Sequence, residues 1–249
     1  MGFNEKTHAF IAAKYFVYLT ERFQERGRSA FIHATQYYGS QRGRRMAQRA
    51  IRDGQALSFG NYLRYGEWVN TEEIREQGCA NAGRLLTGSP DYMQEVTVCP
   101  WNTQFREMGL LEAGETYCLH LDNAICRGFN PYLSYRVPQN LNQGVPCYHI
   151  VAGANVGDGP FPKNPASLRS FAYHCGHSYW AYREVAEAIF GEEGTELAEK
   201  VLADFSETYG KEMAQTLRSY ADTNFNVLDD STESFPDADR SGVGAASKE

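Results

Sequence analysis

Four of the six cysteines fall between Val96 and His149, in VTVCPWNTQFREMGLLEAGETYCLHLDNAICRGFNPYLSYRVPQNLNQGVPCYH, together with Asp122, Asn130, His120 and His149. Cys118 and Asp122 are four residues apart, so on a helix one lies above the other on a single face. Cys147 and His149 are two apart, so on a strand they share a face. Thiols, a carboxylate and imidazoles gathered in one stretch are the raw material of metal binding or of nucleophilic chemistry on a small molecule. Cys99, Cys118, Cys126, Cys147, His120, His149 and Asp122 are donors enough for a zinc ion that would activate water, but their spacings are not those of a ribbon or a finger. His174-Cys175-Gly176-His177 is a second candidate metal group, with its histidines three apart and no companion pair. The reading adopted needs no cofactor and assigns no metal ligand, with zinc kept as the alternative.

The elements that must position these residues alternate between two periods. Residues 5–26 and 29–52 carry helical periodicity, as do 104–111, 114–127 and 171–220. Tyr92 to Cys99 alternates as a strand that Pro100 stops, and 132–137 and 147–151 read as a strand pair joined by the polar 138–144 connection. Gly83 to Pro90 is expected to turn the chain, and 153–165, rich in Gly, Pro and Asn, to be a loop. The fold class is therefore α+β, with helical hairpins flanking a small antiparallel sheet. One domain over 1–228 is expected: a helical region at 1–83, a sheet-containing core at 84–155 with the site, and a second helical region at 166–228. A disordered acidic tail, 229–249, follows.

The chain has 249 residues and a formal net charge of -7, which argues against general affinity for nucleic acid. No apolar run approaches the length of a membrane span, and MGFNEKTHAF lacks the apolar stretch of a secretory signal. Lys6 stands where a myristoylation motif requires Ser or Thr. A cytoplasmic protein with reduced cysteines is the expectation. Nine basic residues from Lys14 to Arg52 oppose an acid-rich segment after Glu184. These charges read either as solvated helix faces or as two ends of the chain that meet, and they leave homo-oligomerisation through the same faces open.

Those ends also share a pattern. A shift of 167 positions sets Tyr15 on Tyr182, Phe23 on Phe190, Gly27 on Gly194, Gly43 on Gly210 and Met46-Ala47-Gln48 on Met213-Ala214-Gln215. A helical hairpin used twice would give this register, and so would two amphipathic regions of similar composition.

The series YCLHLDNAICRGFNP, followed by a strand pair and Cys147, resembles the L-2-amino-thiazoline-4-carboxylic acid hydrolase family. The upstream segments FQERGRSAFIHATQYYGSQRGRRMAQRA, NYLRYGEW and VTVCPW share the likeness, which covers roughly residues 10 to 152. Its most specific element is Cys118, Asp122, Phe129, Asn130, Pro131 and Cys147. The resemblance implies a hydrolase acting on a non-peptide C–N bond, opening a small cyclic amidine, thiazoline or related heterocycle at a carbon bonded to nitrogen or sulfur. It makes Cys118 the nucleophile, with Asp122 binding or protonating the substrate nitrogen. His149 is the candidate base, and Asn130, His120, Cys147 and Arg127 are candidate substrate contacts.

The order of strand, Cys-Pro, helix, strand and Cys is also similar in layout to 4-vinyl-reductase type ligand-binding domains. That layout supplies the alternative of a non-catalytic small-molecule or metal-binding domain, a sensor or carrier. A zinc-dependent hydrolase using the Cys/His/Asp cluster is a further alternative.

Overall fold

The computed structural model describes residues 2–228, so the acidic tail expected at 229–249 lies outside the described residues. The longest helical element, α1 (Glu5–Arg52), begins at a reciprocal cap: the Asn4 side chain accepts from the Lys6 and Thr7 backbone N–H groups, and Thr7 Oγ1 accepts from the Asn4 N–H. Its two arms meet at Gln24, whose φ 52 and ψ -128 break the helix into a hairpin. Two short helices follow, α2 (Phe59–Arg64) and α3 (Glu72–Glu76).

The sheet has four antiparallel strands, β1 (Ala82–Thr87), β2 (Tyr92–Val98), β3 (Tyr135–Arg136) and β4 (Cys147–Val151), in the order β1-β2-β4-β3. The expected pairing of the last two is present, but β3 is only two residues long, and β4 takes β2 as its other neighbour. The expected turn at 83–90 is mostly strand, because Gly83 sits where a Cβ would lie 2.0 Å from Glu95 O and so admits β2 alongside. Between β2 and β3 lie α4 (Pro100–Glu107) and α5 (Leu111–Phe129). Pro100, read as a stop for the strand, is also the first residue of α4, where its missing N–H costs nothing. The C-terminal helices are α6 (Phe171–Phe190), α7 (Glu192–Tyr209) and α8 (Lys211–Arg218). No helix among the described residues is long and apolar enough to cross a membrane.

The duplicated hairpin is present in three dimensions. Gln24 and Gly191 are equivalent under the 167-residue shift and have the same corner conformation, φ 52, ψ -128 and φ 60, ψ -131. A Cβ on Gly27 would lie 1.8 Å from Leu19 O, and one on the equivalent Gly194 would lie 2.1 Å from Ala186 O, so both hairpins need glycine where their arms close. Two equivalent pairs of side chains also touch each other, as residues beside a local twofold axis do. Phe23 stacks on Phe190 with centroids 3.7 Å apart, and Tyr15 on Tyr182 at 5.1 Å. Lys14 pairs with Asp204 at 2.7 Å, and Arg22 pairs with Glu193, so the basic and acidic ends do meet.

Much of the N-terminal basic charge is nevertheless inside the molecule. Arg42, Arg45 and Arg49 recur on one stripe of α1 and surround Glu67, which is fully buried. Arg45 donates to both carboxylate oxygens at 3.2 and 2.9 Å, and Arg49 donates to Oε1 at 2.7 Å. Burial pushes the Glu67 carboxyl up, but Arg45, Arg49 and Arg42 outweigh it and hold the group well below the usual carboxylate range.

α1 also carries α5. Cβ atoms on Gly39 and Gly43 would meet Ala124 Cβ at 2.9 Å and Ile125 O at 2.0 Å, and one on Gly128 would meet Ser40 O at 2.4 Å. With the backbones this close, α5 buries Tyr117, Leu121, Ile125 and Phe129 in the core, and Cys118 and Asp122 fall on a different face.

Candidate active site

That other face looks onto the sheet. In the β2–β4 register Gln94 is opposite His149 and Val96 opposite Cys147, so these four side chains share the face that Tyr135 reaches from β3. Asn123, next to Asp122 on α5, donates to the Tyr135 carbonyl at 2.6 Å and ties the helix to the sheet edge.

His149 is the junction of the cluster. Its Nε2 is 3.2 Å from Cys147 Sγ, and its Nδ1 is 2.6 Å from the Tyr135 hydroxyl and 3.9 Å from Asp122 Oδ2. A proton on Nδ1, donated to the Tyr135 hydroxyl with the carboxylate beyond it, leaves Nε2 as the acceptor for a thiol proton. The side chains of Asp122 and His149 retain 31% and 17% exposure, so a solute can reach both.

The thiols around this junction are held neutral. Burial pushes Cys147 up to about 12, with Asp122 and Cys99 adding to the effect. Burial lifts Cys99 to about 11 despite backbone N–H groups that favour its thiolate. Cys118 is raised well above the ordinary thiol value, by burial first and then by Cys99, Asp122 and Cys147. Each of the three thiols is thus disfavoured as a thiolate by its burial first and by the Asp122 charge as well. A neutral thiol is a poor nucleophile, so reaction there needs either a base or a cation that cancels the charge of Asp122.

The structure brings Cys118, Asp122, Cys147 and His149 together, but it gives His149 to Cys147 as its partner, whereas the sequence pattern points that base at Cys118. The two strand residues are locked side by side, while Cys118 Sγ accepts from Asn142 Nδ2 at 3.5 Å. Asn142 in turn accepts from Asn102 at 2.9 Å, so the polar 138–144 connection contributes a short amide chain to the site.

Three candidate substrate contacts lie elsewhere. His120 is half-buried near Arg28, and burial followed by that guanidinium lowers its pKa. Arg127 is exposed, in the last turn of α5. Asn130 is used in its own turn: Nδ2 donates to Leu57 O at 2.7 Å and Oδ1 accepts from the Tyr132 N–H at 3.0 Å. Tyr135, Asn123, Asn142 and Asn102 are not singled out by the sequence, although alternation in the strand pair could have suggested Tyr135.

Among the described residues, no group of three or more His, Cys, Asp or Glu side chains is disposed to hold a metal ion. In the second metal candidate, His174 Nε2 is 3.1 Å from Glu67 O, and His177 lies between Gln41 at 2.8 Å and Arg45 at 3.3 Å. Both rings serve the buried arginine network.

A sequence model of the L-2-amino-thiazoline-4-carboxylic acid hydrolases matches residues 4–149, more than half of the chain. The chain belongs to this family. The match contains all of α1 and ends at His149, so it includes every residue of the junction just described. No curated protein and no solved structure matches the chain.

Proposed function

We propose that the protein is a hydrolase that opens a small cyclic amidine of the thiazoline carboxylate class, with Cys147 as nucleophile, His149 as proton carrier and Asp122 as the seat of the cationic substrate nitrogens. The observation that carries this reading is His149, which contacts the Cys147 thiol with one ring nitrogen and approaches Asp122 with the other. The family supplies the substrate class.

A ring amidine is planar and cationic when protonated, and it presents N–H groups that a carboxylate can accept in pairs. Burial first, and the Asp122 charge after it, hold the Cys147 proton in place, and seating the cation on Asp122 offsets the second of these, so binding itself makes the thiol easier to deprotonate. His149 Nε2 takes the proton and the sulfur adds to the ring carbon between nitrogen and sulfur. The ring C–S bond then breaks and the leaving sulfur collects the proton from His149. Water adds to the same carbon, Cys147 departs as the thiol, and a carbamoyl product remains. Cys118, held by Asn142, forms one wall.

The test is turnover of 2-amino-thiazoline-4-carboxylate by wild type and by Cys147→Ala, His149→Gln, Asp122→Asn and Cys118→Ala, with far-UV circular dichroism to verify folding. Removing the nucleophile or its base costs on the order of 10²-fold or more in kcat. Asp122→Asn raises KM as well, and Cys118→Ala loses less than Cys147→Ala. Scoring released thiol against released amine reports which ring bond breaks. Full activity in folded Cys147→Ala removes the proposed nucleophile, and full activity in His149→Gln removes the base.

A further inference from the structure

The ionic hub around Glu67 is not balanced on the side of Arg42. Arg45 and Arg49 already donate to both oxygens of Glu67, whereas Arg42 Nε stands 3.6 Å from Oε2 and has no hydrogen-bond partner among the described residues. Arg42 is 5% exposed, so its charge is almost wholly withdrawn from water. A second cation arrives from the 153–165 loop. The backbone N–H of Asn164 donates to Arg64 O at 2.7 Å, which lays the loop along the segment leading to Glu67. Lys163 thereby sits 5.4 Å over the Trp68 ring, with Nζ 2.4 Å from where a Gly66 Cβ would be. Burial and Arg42 together hold the Lys163 pKa at about 8.

One more unsatisfied donor lies near Arg42. The Tyr117 hydroxyl is buried without a hydrogen-bond partner among the described residues. The Tyr117 ring is 6.4 Å from His8, which meets the Tyr38 hydroxyl at 2.9 Å, and the Arg42 guanidinium lies 5.7 Å over the Tyr38 ring. Native interiors rarely leave a guanidinium nitrogen and a phenol unsatisfied in one neighbourhood unless something binds there, and both can donate to a carboxylate. Tyr62 links this region to the reaction site: its ring packs on Tyr135 with centroids 6.0 Å apart and on Phe129 at 5.8 Å, and the Phe129 backbone lies against Gly43, the neighbour of Arg42. Lys163 also lines an open hollow of about 410 Å³ between α2 and the loop, with Arg64 and Phe161.

We propose that Arg42 and Lys163 form the seat for the carboxylate of a small ring compound whose other end lies at Asp122. The inference rests on the hydrolase reading for the orientation of the ligand, but the seat itself is defined by the incompletely bonded Arg42 and by the loop that carries Lys163. A guanidinium withdrawn from water, as Arg42 is, binds a carboxylate more strongly than an exposed one does, because the competing solvation has already been lost, and the half-buried Lys163 adds a second positive charge.

The experiment compares binding of thiazolidine-4-carboxylate with that of thiazolidine, which lacks only the carboxylate, by calorimetry on the full chain. Neither compound carries the amidine, so Asp122 is not required. Wild type is expected to prefer the carboxylate by about 30-fold or more, the gain of a buried charge-assisted contact. Lys163→Met should reduce that preference at least tenfold, Lys163→Arg should preserve most of it, and Asp122→Asn should leave it intact. Equal binding of the two compounds, or an unchanged preference in Lys163→Met, overturns the seat. Acetate, phosphate or chloride displacing the ring compound at equal concentration overturns it as a ligand seat, leaving a general anion site. A carboxylate preference without turnover of any amidine preserves the seat and refutes the hydrolase reading. Equal turnover of 2-amino-thiazoline with and without its carboxylate refutes the seat and preserves the hydrolase.

Discussion

Replacing Glu67 by Gln keeps the shape of the hub and removes its single negative charge. Three guanidinium groups, from Arg42, Arg45 and Arg49, then face a neutral amide in a fully buried setting. Removing one partner of a buried ion pair costs about 3–5 kcal/mol, because the charges left behind have already lost their water. For a domain of this size each kcal/mol lowers Tm by about 2–4 °C, so a fall of roughly 6–20 °C is expected. Thermal and urea unfolding followed by far-UV circular dichroism measure it. The pH dependence adds a sign. Because the folded Glu67 carboxyl lies well below its unfolded value, its contribution is present above the ordinary carboxylate range and is lost as pH falls through the folded pKa. The stability gap between wild type and Glu67→Gln should therefore stay constant from neutrality down to about pH 5 and narrow only in stronger acid. A gap under about 1 kcal/mol at pH 7, or one that closes already near pH 6, would refute the account of Glu67 as the counter-ion that holds the hub together.

Two further outcomes follow from the site and from the hairpins. Since Cys147 is held up to about 12 by burial and, after it, by Asp122, iodoacetamide should label it slowly at about pH 7.5 and faster when acetamidinium is present to cover the carboxylate. Labelling, read by mass spectrometry, that is indifferent to the amidinium would contradict the activation step. Gln24 occupies a positive-φ corner that glycine fills in the second hairpin, so Gln24→Gly should raise stability by about 1 kcal/mol and Gly191→Gln should lower it by a similar amount. Chemical denaturation with both variants at the same slope checks this, and a Gln24→Gly protein less stable than wild type would count against it.

Periodicity made the sheet-facing helix and the strand containing Cys147 and His149 readable, and the fixed 167-residue shift exposed the doubled hairpin. What escaped was governed by contacts between distant segments. β1 has no alternation to mark it, because Gly83 is there for the close approach of β2. Arg42, Arg45 and Arg49 belong to a basic stretch whose solvated alternative is plausible on composition alone, and only the arrival of Glu67 some twenty residues later turns them inward. The hydrogen bond between His149 and Cys147 is not legible in the sequence for a related reason. Helical spacing puts Cys118 above Asp122, but it says nothing about the Asn142 amide that donates to the Cys118 thiol.

The stacked Phe23–Phe190 and Tyr15–Tyr182 pairs join the family-matched stretch to a C-terminal half outside it. A chain ending after Val151 would therefore keep every junction residue yet bare an aromatic seam that its missing half normally roofs. Such a shortened protein would seek that roof in another molecule, by swapping or clumping, before any ring compound reached it.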